Sequence, residues 1–457
     1  MNWWRLPDGD AIVALVMERK QDYVLRTVEE RGVRLIRLWF TDVLGQLKSF
    51  AIAPAELENS FAEGKEFDGS SIDGFSRVQE SDVLARPDPN TFELLPWADG
   101  EARMFCDIQN VDGAPFGGDP RQVLRRNLDR ARERGFTFYA APEMEFFYFS
   151  DGNTTGAPVP LDTASYFDLT TADVAGNLRK RTIQSLEAMG IPVEYSFHED
   201  APSQHEIDLR YTDALTMADN VMTFKLVVKE IALEAGVHAT FMPKPLEGVQ
   251  GSGMHTHFSL FEGDVNAFHD PGDEHGLSKV ARGFIAGLLT HAPEITAVTN
   301  QWVNSYKRLV IGFEAPIYIS WARNNRSVVV NVPHPKRGKA ESTRIEYRAS
   351  DPSANPYLAF SVVLAAGLKG IEENYELRPG TDANLYELSR EELLAEDITT
   401  LPNSMSDALD VMEKSELVAD ALGEHVFEWF VRNKRAEWKS YKAHVTQWER
   451  DRYFRTL

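Results

Sequence analysis

Apolar positions recur every three to four residues through "AIVALVMERKQDYVLRTVEERG", which predicts an amphipathic helix near the N-terminus. Asp10 is placed to cap it, and Gly32 to end it in a left-handed conformation. The pattern then changes to alternation. "VRLIRLWFTDVLGQLKSFAIAP" reads as two strands joined at Leu44-Gly45 and stopped by Pro54, a hairpin. "EGKEFDGSSIDGF" (63–75) has turn chemistry throughout and is expected to be a loop. A strand pattern at "ARMFCDIQN" precedes the Pro- and Gly-rich "VDGAPFGGDPRQ", the best candidate boundary, after which a helix opens. Beyond it, strands ("FTFYAAPEMEFFYF", "VEYSFHED", "ATFMP", "SGMHTHFSLF", "SVVVNVP", "TRIEYRAS") mix irregularly with helices ("VAGNLRKRTIQSLEAMG", "ALTMADNVMTFKLVVKEIALEAG", "PYLAFSVVLAAGLKGIEE"). The last third is largely helical. Without regular strand–helix alternation, the pattern argues for an α+β fold with much antiparallel sheet.

A chain of 457 residues is long enough for two domains, and its composition is that of an ordinary globular protein. Lys and Arg number 48 against 70 Asp and Glu, a formal charge of −22 that disfavours nucleic acid or an anionic membrane as partner. No apolar run approaches the ~20 residues that span a bilayer. "AIVALVM" follows Asp8 and Asp10, the wrong flank for a signal peptide. The single cysteine, Cys106, rules out an internal disulfide and a cysteine metal site and suits a reducing cytoplasm, with packing as its expected role.

The chemistry starts at "PEMEFFYF" (142–149). On a strand, Glu143 and Glu145 share a face amid apolar neighbours, so their repulsion needs a cation or a retained proton. Three other segments share this oddity: Glu199 and Glu206 flank a Pro-containing turn, His255 and His257 alternate in "MHTHF", and Arg344, Glu346 and Arg348 alternate in "TRIEYR". Each alone is a weak signal that a solvated strand edge would equally explain. Together they supply five carboxylates and imidazole, a donor set suited to Mg²⁺ or Mn²⁺. With Arg308, Arg326, Arg344 and Arg348 available for carboxylates or phosphates, the chemistry suggested is phosphoryl transfer.

Taken in order, "FDGSSIDGF", "PEMEFF", "HEDAPSQHEID", "FMPKP", "GSGMHTHFSLF", "NSYKRLVIGFEAP", "NNRS", "RIEYR" and "DPSANPYLAF" resemble type I glutamine synthetases of an alpha-like subtype. "RLWFTDVLG", "LGEHVFEWFVRNKRAEW" and "VTQWERDRYF" look close to actinobacterial-type members. The resemblance implies an N-terminal extension (1–20), a small β-grasp domain (21–116) and a large catalytic domain (117–457) whose curved antiparallel sheet is flanked by helices. It further implies a cytoplasmic dodecamer with active sites between subunits. There ATP phosphorylates the γ-carboxylate of glutamate and ammonia displaces the phosphate.

By motif position, the resemblance assigns Glu145, Glu199 and Glu206 to one Mg²⁺ or Mn²⁺ and Glu143, His255 and Glu346 to a second beside the ATP phosphates. Arg308 and Arg348, with the Gly251 backbone, would hold glutamate; Arg326, Arg344 and His257 would face phosphate. Asp68 of a neighbouring subunit would take a proton from ammonium, in a pocket completed by Ser71, Tyr166, Glu199 and the flap residue Glu314. Asn331 stands where the family usually has arginine, Gln250 where it has asparagine and Ile311 where it has proline. Tyr386 matches a position adenylylated in some members, and Arg77 resembles the arginine tied to glutamine feedback; the short 152–167 segment favours feedback. Two other readings stay open: a γ-glutamyl-amide ligase that takes a polyamine, ethanolamine or another primary amine, and a non-catalytic sensor or scaffold.

Overall fold

The computed structural model describes residues 9–75, 82–169, 175–310, 315–323, 325–381 and 383–457. Arg77, Ile311 and Glu314 therefore lie outside the described residues. The first helix is described over Gly9–Glu30, so Asp10 lies within it and not before it. Gly32 has φ +62°, the left-handed end expected of it. The inner face of the helix, including Val24 and Val28, is buried in the core of a small N-terminal sheet.

Among the described residues that sheet has six strands: β1 (Leu35–Thr41), β2 (Leu47–Ile52), β3 (Lys65–Asp68), β4 (Asp82–Pro87), β5 (Glu93–Leu94) and β6 (Glu101–Asn110). The order is β2-β1-β6-β4-β3, with β5 on β6, and β1 runs parallel to β6. The expected hairpin is β1–β2. The expected loop at 63–75 is corrected in part, because its Lys65–Asp68 portion pairs with β4 as an edge strand. Edge strands carry charge on their open side, so polar composition alone disguised it. Cys106 is fully buried in this core, as packing.

The second sheet contains β7 (Thr137–Phe149), β8 (Val193–His198), β9 (Gln204–Leu209), β10 (Thr212–Asp213), β11 (His238–Thr240), β12 (Thr256–Glu262), β13 (Val265–Asn266), β14 (Tyr318–Ala322), β15 (Val328–Asn331) and β16 (Ile345–Tyr347). Its main order is β14-β15-β16-β12-β7-β9-β8, antiparallel except for the β14–β15 pair. Helices Pro120–Glu133 and Ala214–Glu234 pack on β7, and the nearly all-apolar Pro356–Glu372 is buried against Lys279–Thr299. One large core spans this sheet and these helices.

Polar contacts join the two sheets. The Asn355 amide donates to the carbonyls of Asp42 and Val43, and Gln301 donates to Leu44, which fixes the β1–β2 turn. Beside them Arg121, buried at the start of its helix, donates to Asp88, Asp107 and Asp219. Arg125 joins it on Asp88 and Asp107, and the Tyr357 hydroxyl donates to Asp219 at 2.6 Å.

Candidate active site

The register of four neighbouring strands sets the site. β7 and β9 pair so that Glu143 faces Asp208 and Glu145 faces Glu206. Residues directly opposite share a face, and like charges so placed repel. On the other edge of β7, the Glu143 amide donates to the His255 carbonyl at 2.8 Å and the Glu145 amide to Gly253 at 3.3 Å. Further along, His257 faces Glu346, which in turn faces Asn331. A row of carboxylates and imidazoles thus crosses one face of the curved sheet.

That face is the floor of a cleft of about 570 Å³. His255 Nδ1 lies 3.4 Å from Glu143, 3.9 Å from Glu145 and 4.0 Å from Glu346. Ligand atoms of Glu143, His255 and Glu346 all fall within 4.8 Å of one another. His257 Nε2 bonds Glu143 at 2.8 Å, while Arg344 donates to its Nδ1 at 3.3 Å. Glu145 accepts from the Gln204 side chain and the Gly253 amide, both at 2.9 Å, and Gln204 also donates to the Gly251 carbonyl. A β-carbon on Gly253 would sit 2.6 Å from Arg308 and 2.9 Å from His255, so only glycine lets these groups converge.

Electrostatics divides the carboxylates. Burial, then the nearby Glu199, pushes Glu145 up to about 8. Burial and Glu143 raise Asp208 to about 7, and burial with Asp208 lifts Glu206 well above the carboxylate range. For Glu143, burial opposes ionisation, but hydrogen bonds from His255 and His257 outweigh it and hold it well below the usual value. Glu346 is lowered despite burial because Arg348 pairs with it. Burial and Arg348 drive His255 down to about 4, leaving a neutral ring with a lone pair to donate.

The protein's own cations thus leave this face under-neutralised. Hard carboxylate oxygens, one neutral imidazole and raised pKa values fit divalent ions of the Mg²⁺ or Mn²⁺ kind. Arginines line the same cleft: buried Arg308 donates to the carbonyls of Ala349 and Arg348 and approaches His255, while Arg326 and Arg344 also line it.

All the expected metal residues line the cleft, together with Gly251, Tyr166, His257 and the arginines. Burial and Glu199 raise the Tyr166 phenol, and Arg326 hydrogen-bonds it. Asp68 and Ser71 are exposed on the N-terminal domain and, among the described residues, do not line the cleft of their own chain. Tyr386 does not itself line the cleft, but its hydroxyl donates to the carbonyl of Ala315, which does, at 2.7 Å. Sequence reasoning missed Asp208, Gln204, Gly253 and the contacts of Asn331. Asp208 carried a readable signal, since "EID" on β9 alternates as "EME" does on β7.

The comparisons with known proteins agree with this architecture. Residues 32–111 match the family model described as the beta-grasp domain of glutamine synthetase, and residues 117–453 match its catalytic domain. The chain is 58% identical over 443 residues to a glutamine synthetase of Mycolicibacterium smegmatis, covering 96% of this chain and 99% of that protein. It is 50% identical to a glutamine synthetase of Thermotoga maritima, covering 94% and 98% respectively. Among solved structures, a GmaS/ADP complex superposes with a TM-score of 0.87 at 32% identity, over 94% of this chain and 99% of that one. With both domains matched in order and relatives this similar over their full length, the chain belongs to the glutamine synthetase family.

Proposed function

We propose that this chain is a glutamine synthetase that uses ATP to join ammonia to the γ-carboxylate of L-glutamate through γ-glutamyl phosphate. The observation that carries the reading is the face of opposed carboxylates, Glu143 with Asp208 and Glu145 with Glu206, ringed by Arg308, Arg326, Arg344 and Arg348. Such a face attracts divalent cations and, through them and the arginines, an anionic nucleotide and an anionic amino acid. In a net-acidic protein this local arrangement overcomes the general repulsion of anions.

Glu145, Glu199 and Glu206 are the residues proposed to hold one Mg²⁺ or Mn²⁺, and Glu143, His255 and Glu346 the other. When bound, these ions neutralise the phosphoryl oxygens and the γ-carboxylate so that two anions can meet. The buried Arg308 and Arg348 guanidiniums orient the glutamate carboxylates, with the Gly251 carbonyl toward its ammonium group. Arg326, Arg344 and His257 offer donors to the transferring phosphate. Tyr166 and Glu199, with Asp68 and Ser71 from a neighbouring copy, receive ammonium, and a carboxylate there takes the proton that frees its lone pair. Glu314 covers the acyl phosphate, where exclusion of water prevents its hydrolysis.

The position of Asp68 and Ser71 away from their own cleft supports a homo-oligomer with shared sites, which we take to be a dodecamer. We place the protein in the cytoplasm, which the lone buried thiol of Cys106 suits. Arg77 and Tyr386 are the proposed control points, with feedback by glutamine favoured over adenylylation. The Tyr386 hydroxyl would have to give up its bond to Ala315 before it could be modified.

The test is phosphate release with ATP, glutamate and Mg²⁺ or Mn²⁺, comparing ammonium with ethanolamine and polyamines. Glutamine formed with ammonium supports the proposal. Turnover with an amine but none with ammonium reassigns the acceptor, and silence with all of them sinks the catalytic reading.

A further inference from the structure

Asn331 ends β15 in register with Glu346, and its amide nitrogen donates to Glu346 Oε2 at 2.6 Å. The orientation follows from chemistry: an ionised carboxylate only accepts, so Nδ2 must face it. The other oxygen, Oε1, is turned toward Arg348 and toward His255 at 4.0 Å, the corner where Glu143, His255 and Glu346 converge. Asn331 Oδ1 is buried and accepts no hydrogen bond within the described chain, although the residue lines the cleft. A buried amide oxygen left this way lacks a donor that a bound ligand or water would supply.

We propose that Asn331 is a positioning residue for the metal centre: its neutral amide fixes the rotation of Glu346 and presents Oε1 to the cation without adding a second guanidinium beside Arg348. The inference rests on the metal assignment made above. A second arginine at this position would also reach Glu346, but it would compete with the cation for the same charge. An amide supplies direction without that competition. The orphaned Oδ1 is then available to accept from a water on the cation.

The experiment is a Mn²⁺ titration followed by thermal shift and by electron paramagnetic resonance of the free ion, without ATP or turnover. The wild type is measured first; a wild type that does not respond to Mn²⁺ defeats the metal assignment itself. Asn331→Leu keeps the volume without the donor, and Asn331→Ala guards against misfolding of the first variant. Loss of an outer partner of a metal ligand costs about 10- to 100-fold in affinity, so both should need at least about 10-fold more Mn²⁺ for half-saturation. Asn331→Gln, which keeps the donor, should recover part of the loss. Asn331→Arg should bind Mn²⁺ more weakly than the wild type yet gain stabilisation from ATP. Leu and Ala variants that fold and titrate at the wild-type concentration would overturn the proposal, as would an Arg variant with undiminished Mn²⁺ affinity.

Discussion

Two buried clusters of carboxylates lie in this protein, and they are built to opposite ends. Where the domains meet, Asp88, Asp107 and Asp219 surround Arg121 and Arg125. There, burial opposes ionisation of Asp88, but the two guanidiniums prevail and lower its pKa. In the cleft, no arginine among the described residues bonds Glu145, Glu206 or Asp208 directly, and burial wins. The first cluster is closed, its three aspartates each bonded by a guanidinium of the same chain and its geometry finished by Tyr357. The second is open and lacks what a ligand brings. Both clusters are buried; direct bonding of carboxylates by guanidinium separates a structural joint from a reaction site.

The comparison can be broken most severely in the cleft. Glu145→Ala or Glu346→Ala should abolish ligase activity, by about 10³-fold or more, while circular dichroism stays that of a folded protein. Either variant should also lose its Mn²⁺-induced thermal shift, and full turnover in either would make the metal assignment wrong. At the joint, Arg121→Met strands buried carboxylates and should cost about 3–5 kcal/mol of stability in urea unfolding. Its remaining folded fraction should still bind Mn²⁺, because the change lies outside the cleft.

The third effect is smaller per pH unit and takes opposite signs at Glu145 and Asp208 in the cleft and at Asp88 in the joint. Glu145 and Asp208, raised to about 8 and about 7, keep protons in the folded state that the unfolded chain has already released. Metal-free stability therefore falls as pH climbs from the ordinary carboxylate range toward about 8, at up to about 1.4 kcal/mol per unit for each group. The lowered Asp88 does the reverse: its contribution is present above its unfolded value and is lost as acid protonates it. Melting curves with and without Mg²⁺ between about pH 6 and about pH 8.5 should show a Mg²⁺ increment that grows with pH. A flat increment would deny that the cation replaces those protons. Smallest of all, Tyr357→Phe should cost about 1.5–3 kcal/mol or less, a single charge-assisted bond to Asp219, with Mn²⁺ affinity unchanged.

The sequence was most legible where periodicity and chemistry coincided. Alternation of Glu143 with Glu145, of His255 with His257 and of Arg344 with Glu346 and Arg348 marked strands and candidate site residues at once, and the structure brings all of these residues to one cleft. The Gly32 helix end was readable because one residue type serves a left-handed turn best. Pairing register was not readable. That Glu143 faces Asp208, or that Asn331 faces Glu346, depends on which strands meet, and no single segment encodes its neighbour. Strand β3 was hidden because an edge strand needs backbone partners more than apolar side chains. The joint at Arg121 drew residues from four distant segments, each of which reads alone as an ordinary surface charge.

Asp68 and Ser71 stand exposed, far in role from the floor that their own chain builds. On the shared-site reading, each polypeptide owns two unlike halves and completes neither alone. A chain dead through Asp68→Ala and another dead through Glu145→Ala should then repair each other when co-assembled, since some junctions would draw both intact halves. Dilution should likewise silence the enzyme before it unfolds, making subunit concentration itself a control on nitrogen assimilation.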